Sequence, residues 1–181
     1  LMAKHQLNSI GILGGSFDPP HKGHLKISQI AMKEAKLRKL YWIITKKNPF
    51  KRKTFFTLKE RINFAKKIVK NKKKIKVLYI EDFIKSDRSI DCVNYILKKK
   101  KPKNLYFLVG SDILLQLHKW KKWKRLVKLT KLIVFYRKGY DRKSRESIVA
   151  KYLNYKNIKF VKNKPIKISS TTLRKKIKIH K

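Results

Sequence analysis

Two histidines, His21 and His24, stand in the stretch GILGGSFDPPHKGHLKI at residues 11–27, behind a glycine pair and beside an acid and two prolines. At that spacing two imidazoles share one face of a helix's first turn and point at whatever the helix terminus holds. Three uses are open to them. As metal ligands they lack a third His, Cys or carboxylate at a usual spacing, with only Asp18 nearby. As structural groups they would cap or pack the turn. As hydrogen-bond donors they would hold a phosphate, which agrees with Gly14 and Gly15 just before them. Glycines permit backbone conformations closed to other residues and leave amide N–H groups open to a ligand. The helix expected to start near Lys22 would add unpaired N–H groups and a dipole that attracts anions.

Two other stretches carry chemistry of the same kind. LVGSD places Gly110 and Asp112 after an apolar run, a small residue and an acceptor suited to a sugar hydroxyl, although Gly and Asp also favour plain turns. ISSTTLRKKI offers Ser169, Ser170 and Thr171 as caps of a terminal helix, with Arg174 on its first turn. Capping accounts for one hydroxyl. Three with an Arg make a second anion cradle, suited to a polyphosphate. The sequence shows no Ser-His-Asp pattern, no paired carboxylates and no activated thiol, so no covalent intermediate is expected. Cys92, the one cysteine, has no base beside it and reads as an ordinary small side chain.

These residues need a frame. Short apolar runs of strand length recur at 9–13, 41–45, 75–80, 105–110, 132–136 and 158–161. Helical patterns lie between them, the first with Leu25, Ile27, Ile30, Ala31 and Ala35 on one stripe and others at about 57–70, 89–101, 111–128 and 143–153. Strands apolar on both faces and alternating with helices predict an α/β fold: one Rossmann-like domain over 1–181, its mainly parallel sheet covered by helices on both faces. Ligands of such sheets bind at the carboxyl ends of the strands, where the three motifs fall. The loops at 47–55 and 136–144 are expected to be mobile.

The formal net charge is +41, and a polyanion partner is the first inference. Only nine of the 51 basic residues are Arg, however, and Lys is spread over almost every segment beyond residue 30. Readers of nucleic acid lean on Arg and cluster their charge, so the excess reads as the mark of an AT-rich genome, with no specific nucleic-acid partner. The best candidate for one is HKWKKWKRLVK at 118–128. As a helix it would place Trp120, Trp123 and Val127 on one stripe, and a core-facing reading weighs more. No apolar run is long enough to cross a bilayer and no leader pattern opens the chain. With its single cysteine, the chain is expected in the cytoplasm, away from membranes.

Taken together, GGSFDPPHKGHL and ISSTTLR resemble the HxGH nucleotidylyltransferase superfamily, in the variant of bacterial nicotinate-nucleotide adenylyltransferases. The likeness continues through IITKKNPFK (43–51), FLVGSDILLQLHKW (107–120) and YRKGY (136–140), nearly the whole chain. It implies transfer of AMP from ATP to nicotinate mononucleotide, giving deamido-NAD and pyrophosphate by direct in-line attack. It also implies that His21, His24 and Arg174 are catalytic, the histidines on the ATP phosphates and Ser170, Thr171 and Arg174 on the β and γ phosphates. Gly14, Gly15, Ser16, Phe17, Gly110, Asp112 and Ser169 would complete the ATP site, with Asp112 on a ribose. Lys51, Asp112 and Trp120 would serve the mononucleotide, Trp120 stacking near the pyridine. Mg²⁺ would arrive bound mainly through ATP phosphates, with no metal held by the protein.

Two departures from the family stand out. Where relatives carry YT-x-DT on the pyridine side, this chain reads DCVNY (91–95), and it ends at Lys181, where relatives often continue for another helix; this reads as trimming. Lys46, Lys47 and Lys51 would favour the acid over the amide, and Asp91 would push the other way. The alternatives are an adenylyltransferase acting on nicotinamide mononucleotide or phosphopantetheine and, more remotely, a basic RNA-binding protein.

Overall fold

The computed structural model describes residues 8–46, 53–164 and 168–179. Six strands make one parallel sheet: β1 (Ser9–Gly15), β2 (Lys39–Ile44), β3 (Ile75–Leu78), β4 (Asn104–Gly110), β5 (Lys131–Phe135) and β6 (Ile158–Val161). Their order is β3-β2-β1-β4-β5-β6. The order reverses between β1 and β4, which pair from Ser9↔Asn104 to Leu13↔Leu108, so the crevice beyond their carboxyl ends is where a ligand fits.

Successive residues of each strand feed opposite cores, because side chains alternate with period two. Leu40, Trp42 and Ile44 enter one core, under α1 (Lys22–Glu34) and α2 (Leu58–Val69), while Tyr41 and Ile43 enter the other. That second core lies beneath α4 (Ser89–Lys100), α5 (Ser111–Gln116), α6 (Trp123–Leu129) and α8 (Ile148–Tyr152), and is filled by Val93, Leu114, Val127 and Val149. The expectation of strands apolar on both faces holds. No helix among the described residues is long and apolar enough to cross a membrane.

Several expected elements differ. The helix over 111–128 is three pieces: α5, a 3₁₀ turn at Leu117–Lys119, and α6. Lys121 and Lys122 are exposed and interrupt the apolar stripe, and Lys122 takes a left-handed conformation at φ 55° just before α6 begins. The helix over 143–153 is likewise split into α7 (Asp141–Arg145) and α8, with the Ser147 hydroxyl accepting from the Ala150 N–H to start the second. The loop expected at 136–144 thus carries helix. In the other expected loop, residues 47–52 lie outside the described residues. A four-residue helix, α3 (Glu81–Ile84), has no counterpart in the sequence reading, which extended β3 to residue 80. The terminal helix, α9, spans Ser170–Ile179.

Candidate active site

The site begins where β1 ends. Gly14 and Gly15 are strand residues paired with Ile43 and Ile44, and neither has a positive φ. The expectation that they supply special backbone conformations is therefore corrected. A Cβ on Gly14 would meet nothing within 4 Å, so what the glycine provides is open space above the strand end. The left-handed residue is Phe17, at φ 46°, buried with its ring stacked on Trp42 at 5.0 Å.

After this turn His21 is the N-cap of α1, and its ring accepts a hydrogen bond at Nδ1 from the Gly23 N–H at 3.1 Å. The His24 Nδ1 accepts from the His21 N–H at 3.2 Å. The two histidines thus form a reciprocal capping box, a role usually filled by Ser or Thr with Glu. Their rings lie 3.8 Å apart. The structural and phosphate-donor readings are compatible, because capping uses only Nδ1. A neutral imidazole that accepts at Nδ1 carries its proton on Nε2. Burial, with the Arg137 charge adding to it, pulls His21 from the ordinary 6.5 to about 4. Burial, then His21 and Arg137, holds His24 well below its ordinary value. Both rings are therefore neutral at pH 7, each with an Nε2–H donor left over. Behind them, the Trp42 indole N–H donates to the Ser28 hydroxyl at 2.8 Å, and that hydroxyl donates to the His24 carbonyl at 2.7 Å.

The terminal motif docks on this loop across 151 residues of sequence. The Ser170 hydroxyl donates to the Pro19 carbonyl at 2.8 Å, and the Arg174 guanidinium donates to the Asp18 carbonyl and to Thr171 Oγ1. Ser169 Oγ accepts from the Thr172 N–H at 3.1 Å. Of the three expected caps, only Ser169 caps. Ser170 pins the helix to the opening loop, and Thr171 is exposed beside Arg174. Asp18 is buried, accepting from the Phe55 and Phe56 N–H groups at 2.8 and 2.9 Å, with Arg174 at 3.6 Å from its carboxylate. Its oxygens face amides and a guanidinium, an arrangement that holds loops together. Among the described residues no three His, Cys, Asp or Glu side chains converge as a metal cage. Between Asp18, Lys53, Thr171, Arg174 and Lys175 opens a cleft of about 350 Å³ with a cationic wall, sized for phosphates.

At the end of β4, a Cβ on Gly110 would collide with Asp112 Oδ1 and crowd Arg137 at 3.3 Å, so a larger residue there would displace the Asp112 carboxylate. Asp112 lies 3.8 Å from Arg137 Nε, and its Oδ1 accepts no hydrogen bond although it is shielded from solvent. Ser111 fixes the Arg137 backbone by accepting its N–H at 2.9 Å.

Residues expected on the pyridine side are less gathered. Trp120 is half-buried against the core, edge-on to Phe107 at 6.2 Å, and its indole N–H is buried without a partner. Val127 is fully buried, while Trp123 sits on the rim beside Tyr152. The Asp91 carboxylate accepts from the Ser86 hydroxyl at 2.6 Å. Lys46 Nζ lies 3.8 Å from Asp82 at the surface, and Lys47 and Lys51 lie outside the described residues. Cys92 is buried and its thiol is pushed up to about 12 by burial first, then by nearby carboxylates, which keeps it inert.

Three residues were missed or undervalued by sequence reasoning. The sequence suggests Asp18 only as a metal ligand, places Arg137 only within YRKGY and does not distinguish Arg61. Arg61 is buried and donates to four backbone carbonyls around the loop. The available signal was Arg itself, nine residues in a chain with 42 Lys.

A cytidylyltransferase-like family matches residues 12–176. A probable nicotinate-nucleotide adenylyltransferase of Pelagibacter ubique is 47% identical, with 92% of each chain covered. One from Aquifex aeolicus is 33% identical over 88% of this chain and 98% of that one. Among solved structures, Plasmodium falciparum nicotinic acid mononucleotide adenylyltransferase complexed with NaAD superposes with a TM-score of 0.75 over 93% of this chain and 83% of that one, at 21% identity. That likeness bears on the fold, and the sequence matches bear on the family: the chain belongs to the cytidylyltransferase-like family and, within it, to the nicotinate-nucleotide adenylyltransferases.

Proposed function

We propose that this chain transfers AMP from Mg-ATP to nicotinate mononucleotide, releasing pyrophosphate and deamido-NAD, as a cytoplasmic enzyme. The observation that carries this reading is the histidine pair: both Nδ1 atoms are occupied by backbone N–H groups, so both rings aim neutral Nε2–H donors from one helix terminus. Neutral donors suit a phosphate that must also be released.

The acceptor's 5′-phosphate oxygen attacks the α-phosphorus of ATP. A P–O bond forms there as the α–β bridging P–O bond breaks, and the electron pair leaves on pyrophosphate. No protein nucleophile is required, so the protein's work is alignment and charge stabilisation. His21 and His24 donate to the α- and β-phosphates, Arg174 and Lys175 face the outer phosphates from the cleft beside Asp18, and Asp112, whose Oδ1 accepts no hydrogen bond within the chain, accepts from a ribose hydroxyl. Gly14 leaves room for the phosphates, and Gly110 leaves room for the Asp112 carboxylate that would meet the nucleoside. Trp120 offers a ring face and an unpartnered N–H to the pyridine side. Mg²⁺ is part of the ATP substrate and orients its phosphates.

The test is pyrophosphate release from Mg-ATP across a panel of nicotinate mononucleotide, nicotinamide mononucleotide and phosphopantetheine. Release with nicotinate mononucleotide foremost is the expected outcome. Release only with another acceptor would reassign the substrate, and none with any would overturn the reading.

A further inference from the structure

Arg61 is 1% exposed, and no described carboxylate lies within ion-pair distance of it. Four backbone carbonyls accept from its guanidinium, and the charges of Asp18 and Glu81 support it at longer range. Nη1 donates to the Ser16 carbonyl at 2.6 Å and the Thr45 carbonyl at 2.7 Å, Nη2 to the Lys46 carbonyl at 3.0 Å and Nε to the Phe56 carbonyl at 3.2 Å. These carbonyls belong to three separate segments: the loop after β1, the end of β2, and the turn before α2. The same segments are gripped from their other sides. Glu81 accepts the Lys46 N–H at 2.8 Å, Asp18 accepts the Phe55 and Phe56 N–H groups, and the Thr45 N–H donates to the Gly15 carbonyl at 2.9 Å.

A buried cation is costly, and a buried aliphatic residue would fill the same space on the face of α2 that also buries Ala65 and Val69. What an aliphatic residue cannot do is fix three backbone segments relative to one another. A lysine cannot either, since one ammonium lacks the planar fork that reaches four acceptors in different directions.

We infer that Arg61 is a positioning residue, which sets the distance between the histidine loop that holds ATP and the end of β2 that faces the acceptor nucleotide. The inference rests on the adenylyl-transfer reading for its kinetic consequence and on geometry alone for its structural one. Displacing the two segments relative to one another by about an ångström leaves each segment's own contacts with its nucleotide but misaligns attack between the two, so turnover suffers more than binding.

The experiment uses the full chain with Arg61→Lys and Arg61→Gln, at 10 °C in saturating Mg-ATP so that ligand holds the variants folded. Expected for Arg61→Lys are a kcat lowered about 100-fold, an ATP Kd within about threefold of wild type, and a larger kcat loss for Arg61→Gln. Amide exchange in the ligand-free protein supplies a readout independent of catalysis. Protection of the Lys46, Phe55 and Phe56 amides should fall at least about tenfold together while that of β1 is kept. Wild-type kcat in either folded variant overturns the inference, as does a loss confined to ATP affinity or unchanged protection at those amides. Failure of both variants to fold assigns Arg61 to the core and overturns it too. An inactive wild type would refute the adenylyl-transfer reading and leave the exchange test standing.

Discussion

His21 joins an observed role and a proposed one, which substitution can separate. Its Nδ1 caps α1 and its Nε2–H is free to meet a phosphate. His21→Ala removes both; His21→Ser removes the imidazole but restores an acceptor for the Gly23 N–H. The two variants lose similar ring packing, so their difference isolates the cap, about 1 kcal/mol. For a domain of this size that is a difference of about 2–4 °C in Tm, with Ser the more stable. Catalysis should not follow stability. One preorganised donor to developing phosphate charge contributes about 2.7–4 kcal/mol, so kcat should fall about a hundredfold to a thousandfold in both variants. The assays are calorimetry and continuous pyrophosphate release at saturating substrates. Recovery of turnover in His21→Ser would show that the histidine acts only through the helix it caps, and near-normal turnover in both would refute the phosphate role altogether.

Other outcomes follow from neighbouring geometry. Arg174→Ala should chiefly raise the KM for ATP, because its guanidinium stands on the rim of the phosphate cleft, and leave the KM for the mononucleotide nearly unchanged; steady-state titration of each substrate decides. Nicotinate mononucleotide should be preferred over nicotinamide mononucleotide by at least about tenfold in kcat/KM, about 1.4 kcal/mol and within the range of one charge-assisted hydrogen bond; equal efficiency in parallel assays would refute it. The His21 pKa lies near 4 when folded and near 6.5 when unfolded, so the unfolded chain binds more protons between those values. Its contribution to stability is complete above about pH 6.5 and is lost as pH falls toward 4. Urea unfolding from pH 7.5 to 5 should show the slope in wild type and less of it in His21→Ser; identical slopes would place the imidazole in water. Duplex DNA or RNA should bind weakly, without sequence preference, and be released by a few hundred millimolar salt, as a band-shift titration would show.

The sheet was legible because its signal is redundant. Leu40, Trp42 and Ile44 face one core and Tyr41 and Ile43 the other, so the whole run had to be apolar and its length marked a strand. The histidines were legible for the same reason, since spacing, glycines and helix start all agreed. Elements that rest on one or two residues were not. The break at Lys122 and the four-residue α3 follow from tertiary contacts that no window of sequence contains. Asp18, Arg61 and Arg137 were obscured differently. Their partners are backbone groups and residues far away in sequence, such as Phe55 for Asp18 at a separation of 37, and hydrogen bonds to carbonyls leave no pattern in side-chain types.

No described Lys is buried, so the lysines that make most of the +41 charge lie where sequence drift is tolerated. Among the described arginines, those that leave the surface are Arg61, Arg137, Arg145 and Arg174. Arg145 lies over the Phe160 ring, its guanidinium 4.4 Å from the ring centre. The other three surround the opening loop, Arg61 beneath it, Arg174 beside Asp18, and Arg137 close enough to lower both histidines. A guanidinium holds its charge when buried and bonds in fixed directions, whereas an ammonium readily loses its proton. Where composition favours Lys everywhere, Arg persists at positions that demand fixed direction, and here three such positions surround the opening loop, where the proposed reaction brings two polyanions together. The general positive field concentrates ATP and its acceptor near the surface, as any dispersed charge does, and is screened by salt. In the proposed mechanism alignment rests on the three arginines and two neutral histidines, whose geometry salt does not alter. Raising ionic strength should therefore increase KM for both substrates while leaving kcat nearly constant, and a kcat that fell in proportion would show that dispersed lysines take part in the chemical step.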